Sequence, residues 1–302
     1  MHKISDKLQT QNQHIVPKVH LKSFLEDGTK KLQCFNIDEL RLEKPQSLRS
    51  ICSSKFYYSE IPGSPDEYGQ IVEKSFGSLE DLYGKIKKGI EKQLLNKNEL
   101  SDRRKYELSL VISNFIFRGY KKREEYLRMN DEIFTKITQG MEESETINGL
   151  TQKEFYEEGK KTSYATNLAF DPRFANALTH KKWEILINNS QRPFVTGDTP
   201  AIEYEPDFAT SWPNFSSGLI VRTQLFHLSP RIAIIITFDP ESSGEWQFTD
   251  VTTKPDRINE SNLKYINFTH KYAYSSSNRF FEKVIAFESN KKNTSYKHIS
   301  ET

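Results

Sequence analysis

Imidazole, carboxylate and guanidinium groups able to do acid–base work sit at well-separated places in this chain. His14 stands in Gln13-His14-Ile15-Val16-Pro17. Pro17 disfavours helical geometry at Val16, so His14 is expected on an extended lead-in. An imidazole there titrates near neutrality and could give or take a proton. It could equally bond a carbonyl and lock the segment onto the body. Asp198 lies in Phe194-Val195-Thr196-Gly197-Asp198-Thr199-Pro200, at the sharp exit from a strand-like run. A carboxylate there can face a rim where sites form, holding a metal, orienting a histidine or acting as a base. The structural alternative is an Asx-turn that bonds nearby backbone.

Glu73 and Glu80 are seven residues apart, so two helical turns place them on one face. Each follows an apolar stripe residue, Val72 or Leu79, and lies roughly 100° round the axis from it. This spacing suits a pair of semi-buried carboxylates, with solvent-facing glutamates as the alternative. Their axial separation of roughly 10.5 Å is too great to grip one ion without a third element. Arg118 follows the stripe of the next helix and falls beside Val111 on a helical wheel. It suits a buried carboxylate or a phosphate, with a snorkelling surface arginine as the alternative. Asn267 has apolar neighbours in Ile266-Asn267-Phe268; if buried its amide must bond a loop, with an exposed Asn at a helix end as the alternative. His20, six residues after His14, makes no obvious metal pair. No P-loop, GxGxxG, HExxH or GxSxG pattern is present.

The elements that must hold these groups follow from apolar periodicity. Val19 to Leu25 fits a short helix stopped at Asp27-Gly28. Lys31 to Ile37 reads as a strand, although Leu32 and Cys34 alternate out of phase with Phe35 and Ile37. Ser47 to Ser59 is β-prone around Phe56-Tyr57-Tyr58, and Ile61 to Asp66 is a loop. Val72, Phe76, Leu79, Tyr83, Ile86 and Ile90 mark one long helix, broken at Asn96-Lys97-Asn98. Ser101 is an N-cap for a second helix from Asp102 to about Ile137, with Leu108, Val111, Ile112, Phe115 and Ile116 inside. Thr151 and Glu154 form a capping box for a helix to Leu168. Strands are expected at Lys182–Asn188, Pro193–Gly197, Val221–Leu228, Ile232–Phe238, Trp246–Thr252 and Lys271–Ser275. Ile232–Phe238 is almost purely apolar and should be central. Ser261 should cap a short helix through Thr269, and Phe280–Glu288 a last one. The expected fold class is α+β in a single domain, 1–302. It has an N-terminal strand region (1–66), a long-helix middle region (67–178) and a C-terminal mixed or antiparallel sheet (179–302).

Composition narrows the function classes. Twenty Phe and fourteen Tyr among 302 residues supply the core area that a disordered chain lacks. With 43 basic and 41 acidic residues the net charge is +2, which gives no general drive toward nucleic acid or membrane. The runs Arg103-Arg104-Lys105 and Lys121-Lys122-Arg123 are followed by glutamates and read as solvated helix faces. The two cysteines, Cys34 and Cys52, form no CxxC pair and suggest a reducing compartment. The polar N-terminus has no apolar signal region, and the longest apolar run is far too short to span a bilayer. The expected location is cytoplasmic.

The opening His14-x-Val16-Pro17 with Leu21 and Phe24 resembles the start of a bacterial family, domain of unknown function 4238. In that comparison Glu73 and Glu80 look like its paired helix glutamates and Arg118 like its arginine after the apolar stripe. Phe194 to Pro200 is similar to its Phe-Ile-Thr-Ser-Asp-Asn-Pro turn, from which Gly197 and Thr199 depart. Phe226-His227-Leu228-Ser229-Pro230 resembles its next strand ending, and Asn267 with Tyr272-Ala273-Tyr274 its tail. The resemblance brings no reaction with it.

Two functional expectations follow, beside a structural one. The first is a hydrolase acting on nucleic acid or a nucleotide, in a defence or toxin context. His14 would be its general acid or base, Asp198 or Glu73 would hold water or a divalent metal, and Arg118 would neutralise phosphate. Glu80 and Asn267 complete its expected binding set. The second is a non-catalytic module for a protein or nucleic-acid partner, with the aromatic loop around Trp212, Pro213 and Phe215 as contact point. The third is an internal hydrogen-bond network that specifies the fold without chemistry.

Overall fold

The computed structural model describes residues 12–26, 28–55, 57–58, 67–139, 146–147, 149–151, 153–157, 172–204, 222–241 and 243–300. Phe56, the 61–66 loop, the helix expected beyond residue 157 and the loop around Trp212, Pro213 and Phe215 lie outside them. In chain order the elements are β1 (Asn12–His14), α1 (Lys18–Leu21, continued by a 3-10 turn Lys22–Phe24), β2 (Lys31–Asn36), β3 (Arg41–Ser47) and β4 (Ser53–Lys55). Then come α2 (Glu67–Leu95), α3 (Asp102–Phe117), α4 (Tyr120–Thr138), β5 (Thr146–Ile147), β6 (Leu150–Thr151) and α5 (Pro172–Thr179). The last are β7 (Lys182–Ile187), β8 (Thr196–Gly197), β9 (Ala201–Tyr204), β10 (Thr223–Ser229), β11 (Ile232–Thr237), β12 (Trp246–Asp250), α6 (Pro255–Phe268), β13 (Tyr272–Ser275) and α7 (Arg279–Ser300). The class is α+β. Contacts divide the chain into two compact units, each assembled from separated stretches. The first holds 1–17, 52–88 and 100–180, and the second 18–51, 89–99 and 181–302.

The first unit is mainly helical. The stripe Val72, Phe76, Leu79, Tyr83 and Ile86 of α2 is buried, as its 3.6-residue spacing requires. Ser101 caps α3 by accepting the Arg104 N–H, and α3 packs on α5, where Phe117 meets the Phe174 ring edge-on at 5.2 Å. The sequence suggests one helix from Asp102 to Ile137; the structure has two. Arg118 still donates its N–H to Asn114 O, but Gly119 turns to an extended ψ of 157° and α4 restarts at Tyr120. That extended geometry is the usual one for a residue that caps the start of a new helix. Thr151 and Glu154 bond each other's backbone N–H, the expected capping box.

The second unit carries the sheets. One has the order β12-β7-β11-β10-β9, antiparallel except for β12 beside β7. The apolar β11 is its central strand, because only the middle of a covered sheet can take a run of isoleucines. The other sheet has the order β3-β2-β13-β8. The phase slip in β2 has two causes. It is an inner strand with Cys34 and Phe35 both buried, and its pairing with β3 jumps from Leu32↔Gln46 to Cys34↔Glu43. Pro45 sits in that bulge, where a residue without an N–H removes no ladder bond. One apolar cluster joins both sheets to α6 and α7 through Phe35, Leu186, Leu225, Tyr265, Ala273 and Phe281. Helix α6 begins at Pro255, not Ser261: proline's fixed φ suits a first helical turn, and Ser261 lies inside.

The break after α2 is a Schellman ending, with Asn98 N–H on Gln93 O and Lys97 N–H on Leu94 O, both at 3.0 Å. Lys97 takes the left-handed position at φ 56°, where a Cβ costs about 1 kcal/mol. Lys97→Gly should therefore raise the melting temperature, by up to about 1 kcal/mol of stability in a denaturant titration. A lowered midpoint would show that Lys97 carries no strain.

Candidate functional site

In the first unit the chain start is fastened residue by residue. β1 pairs antiparallel with β4, His14 opposite Ser53, and Ile15 N–H donates to Cys52 O at 2.8 Å. Gln13 is buried, and its Oε1 accepts the Tyr58 N–H at 2.7 Å. The Tyr58 hydroxyl donates to His14 O at 2.9 Å. Arg118, at the C-terminal cap of α3, supplies the opposite charge from a position of zero exposure. Its Nε donates to Tyr58 Oη at 3.0 Å, and its Nη1 to Glu80 Oε1 at 3.0 Å and to Asn114 Oδ1 at 3.3 Å. Its Nη2 donates to His14 O. The guanidinium also lies over the Phe76 ring at 4.7 Å and the Tyr58 ring at 5.7 Å. A charge this deep is tolerable only when fully bonded, and the planar fork fits four acceptors at once.

Glu73 lies on α2 two turns before Glu80 and is half-buried. Burial pushes its carboxyl up to about 7, against the pull of the Arg118 charge and helped by the Glu80 charge. The two glutamates thus divide the work. Glu80 is the ion-pair partner, and Glu73 is a carboxyl poised to exchange a proton at neutral pH. Burial also drives the Tyr58 hydroxyl well above the ordinary tyrosine range, so it remains a donor.

The His14 carbonyl, Glu80 and Arg118 are thus in one bonded cluster, with Glu73 within its electrostatic reach. Of the two partners expected for Arg118, a carboxylate or a phosphate, the structure shows the carboxylate, Glu80, and the guanidinium is buried inside the protein, where it positions other groups. Gln13, Tyr58 and Asn114 belong to the cluster and carry no conspicuous sequence signal. Asn114 does stand one turn before Arg118 on the same helix face.

Asp198 and Asn267 are in the second unit. Asp198 is buried; its Oδ1 accepts the His270 N–H at 2.9 Å, and its Oδ2 the Lys271 and Tyr272 N–H groups at 2.9 and 3.0 Å. Burial raises its pKa against these three donors. The carboxylate closes the junction from α6 to β13; its bonds are to backbone, but to the remote 270–272 stretch and not to the nearby residues that an Asx-turn would use. Asn267 is exposed, so the buried amide anticipated there is absent. Asn262 fills that role, accepting Val195 N–H and donating to Pro193 O, both at 3.0 Å.

Two histidines of this unit are fully buried. His20 Nε2 meets Thr196 Oγ1 at 2.9 Å. His227 stacks on Tyr265 at 4.5 Å, with Nδ1 on Val195 O at 2.5 Å and Nε2 on Ser261 Oγ at 2.9 Å. The Ser261–His227 pair has the distances of a nucleophile and its base. Burial lowers the imidazole to about 3, however, which makes it a poor proton acceptor. Among the described residues no group of three His, Cys, Asp or Glu side chains stands close enough to hold a metal ion.

Fold and cluster together define an α+β protein whose first unit is fastened by a buried arginine–carboxylate centre. A family model described as Protein of unknown function (DUF4238) matches residues 12–279, and the chain belongs to that family. No curated protein and no solved structure matches it. No helix among the described residues is long and apolar enough to cross a membrane.

The departure from the family's turn at Gly197 has a packing cause. A Cβ at Gly197 would lie 2.6 Å from Thr269 Cγ2 and 2.7 Å from Thr269 Oγ1. Gly197→Ser should cost about 1–3 kcal/mol by overpacking. The same change in a Thr269→Ala background should cost measurably less; equal costs in both would refute the clash. Arg118→Met should destabilise by about 3–5 kcal/mol in urea titration, because Glu80 then loses its buried counter-charge. A loss below about 1 kcal/mol would mean that the cluster does not hold the unit together.

Proposed function

We propose that the first unit carries a hydrolytic centre acting on a nucleotide or nucleic acid, with Glu73 as general base and His14 as the second proton-transfer group. The single observation behind it is a half-buried carboxyl held against a fully bonded arginine–glutamate pair, a setting that lets Glu73 change protonation near neutral pH. Tyr58 and Arg118 hold the His14 carbonyl and so fix where the imidazole starts. Asp198 enters this reading only as a structural carboxylate of the second unit.

A second reading is favoured by the zero exposure of Arg118. On it, the cluster is a lock for the chain start in a module that binds without catalysis. One variant separates the two. The full chain is assayed against nucleotides, single-stranded DNA and RNA for released phosphate or nucleotide. Hydrolysis should rise with pH through about 7, and Glu73→Gln should lower it by at least 10²-fold and abolish the pH limb. Unchanged hydrolysis in that variant would remove the catalytic reading.

Stability supplies an independent check. The folded carboxyl binds its proton more tightly than the unfolded one, so Glu73 favours folding below about 4.5 and loses that contribution as pH rises through about 7. Glu73→Gln should flatten this fall, with a melting temperature at pH 8 no lower than wild type. A variant that unfolds at pH 8 would support the lock instead.

A further inference from the structure

The second unit holds a groove of about 410 Å³ whose walls include Arg192, Arg279 and Lys283. Arg279 and Lys283 are one turn apart on the first two turns of α7, so both face the same side of the helix. Among the described residues neither Arg192 nor Lys283 has an ion-pair partner, and Arg279 Nη1 meets only the neutral Gln191 Oε1 at 3.3 Å. Glu282 is the one carboxylate on the walls. Three cations around one cavity repel each other, and an anion between them relieves that repulsion.

The groove is also built to keep its shape. Asn188 Nδ2 holds Arg192 O at 2.6 Å, and Asn262 Nδ2 holds Pro193 O at 3.0 Å, so the wall opposite α7 is pinned by buried amides. Pro193 and Phe280 supply apolar surface beside the cations, and the Asn259 amide can read a polar edge. A cavity of this size, lined by two forked guanidinium groups, an ammonium group and the apolar surface of Pro193 and Phe280, matches a phosphate attached to a planar base.

We propose that this groove binds a small phosphate-bearing ligand of nucleotide size, its phosphate held by Arg192, Arg279 and Lys283 and its base against Pro193 and Phe280. The site goes beyond the acid–base reading of the first unit and stands if that reading falls. The test is calorimetric titration of the full chain with AMP, adenosine and inorganic phosphate. AMP should bind saturably, at least tenfold more tightly than adenosine or phosphate alone. Arg192→Glu and Lys283→Glu, both at exposed positions, should each weaken AMP by about tenfold or more with unchanged melting temperatures. The Glu73→Gln chain should bind AMP as wild type does, which separates this site from the first-unit centre. AMP binding no tighter than adenosine, or equal binding by the charge-reversed chains, would overturn the site. Phosphate binding as tightly as AMP would overturn the nucleotide assignment.

Discussion

A guanidinium taken fully out of water must be met on every side, and Arg118 is the group whose needs organise the first unit. Its fork collects a carboxylate from α2, an amide from its own helix, a phenol from the segment after β4 and a main-chain carbonyl from β1. Four stretches of chain remote in sequence are thereby held to one point. Each contact alone contributes modestly, since bonds to water are given up on both sides. Leaving any of them unmade in a buried place is the expensive alternative, and that asymmetry keeps the segments in register. Glu73 lies in the same surroundings: its burial raises the carboxyl pKa, the Arg118 charge opposes that rise, and the Glu80 charge adds to it.

In the second unit main-chain groups meet much of the buried polar demand: three consecutive amides for Asp198, two backbone groups for Asn262, and for His227 a carbonyl beside a serine hydroxyl. Such bonds stitch the stretch from Pro193 to Asp198 to α6, β10 and β13. Low dielectric around them makes His227 neutral and keeps it so. The contrast is chemical: burial raises both carboxyls, opposed at Asp198 by three backbone amides and at Glu73 by the Arg118 charge.

Much of the fold was legible because period speaks directly of burial. The α2 stripe, the Ser101 cap, the Thr151–Glu154 box and the isoleucine run of β11 each carry their own geometry. The break at Gly119 was not, since the apolar pattern runs on across it and a lone glycine is tolerated inside a helix. Pro255 was a readable helix start, outweighed by the cap-like Ser261. In the cluster, His14, Glu73, Glu80 and Arg118 stood out by residue type. Tyr58 and Gln13 did not, because a buried phenol and a buried amide look like any others until the partner is seen. Asn267 drew attention through its neighbours, whereas the buried amide was Asn262, five positions earlier.

Arg118 and Tyr58 grip the carbonyl of His14, not its ring. Every amino acid offers that same oxygen. These two bonds are therefore open to any residue at position 14, and descendants of one ancestor can exchange the imidazole and still inherit both.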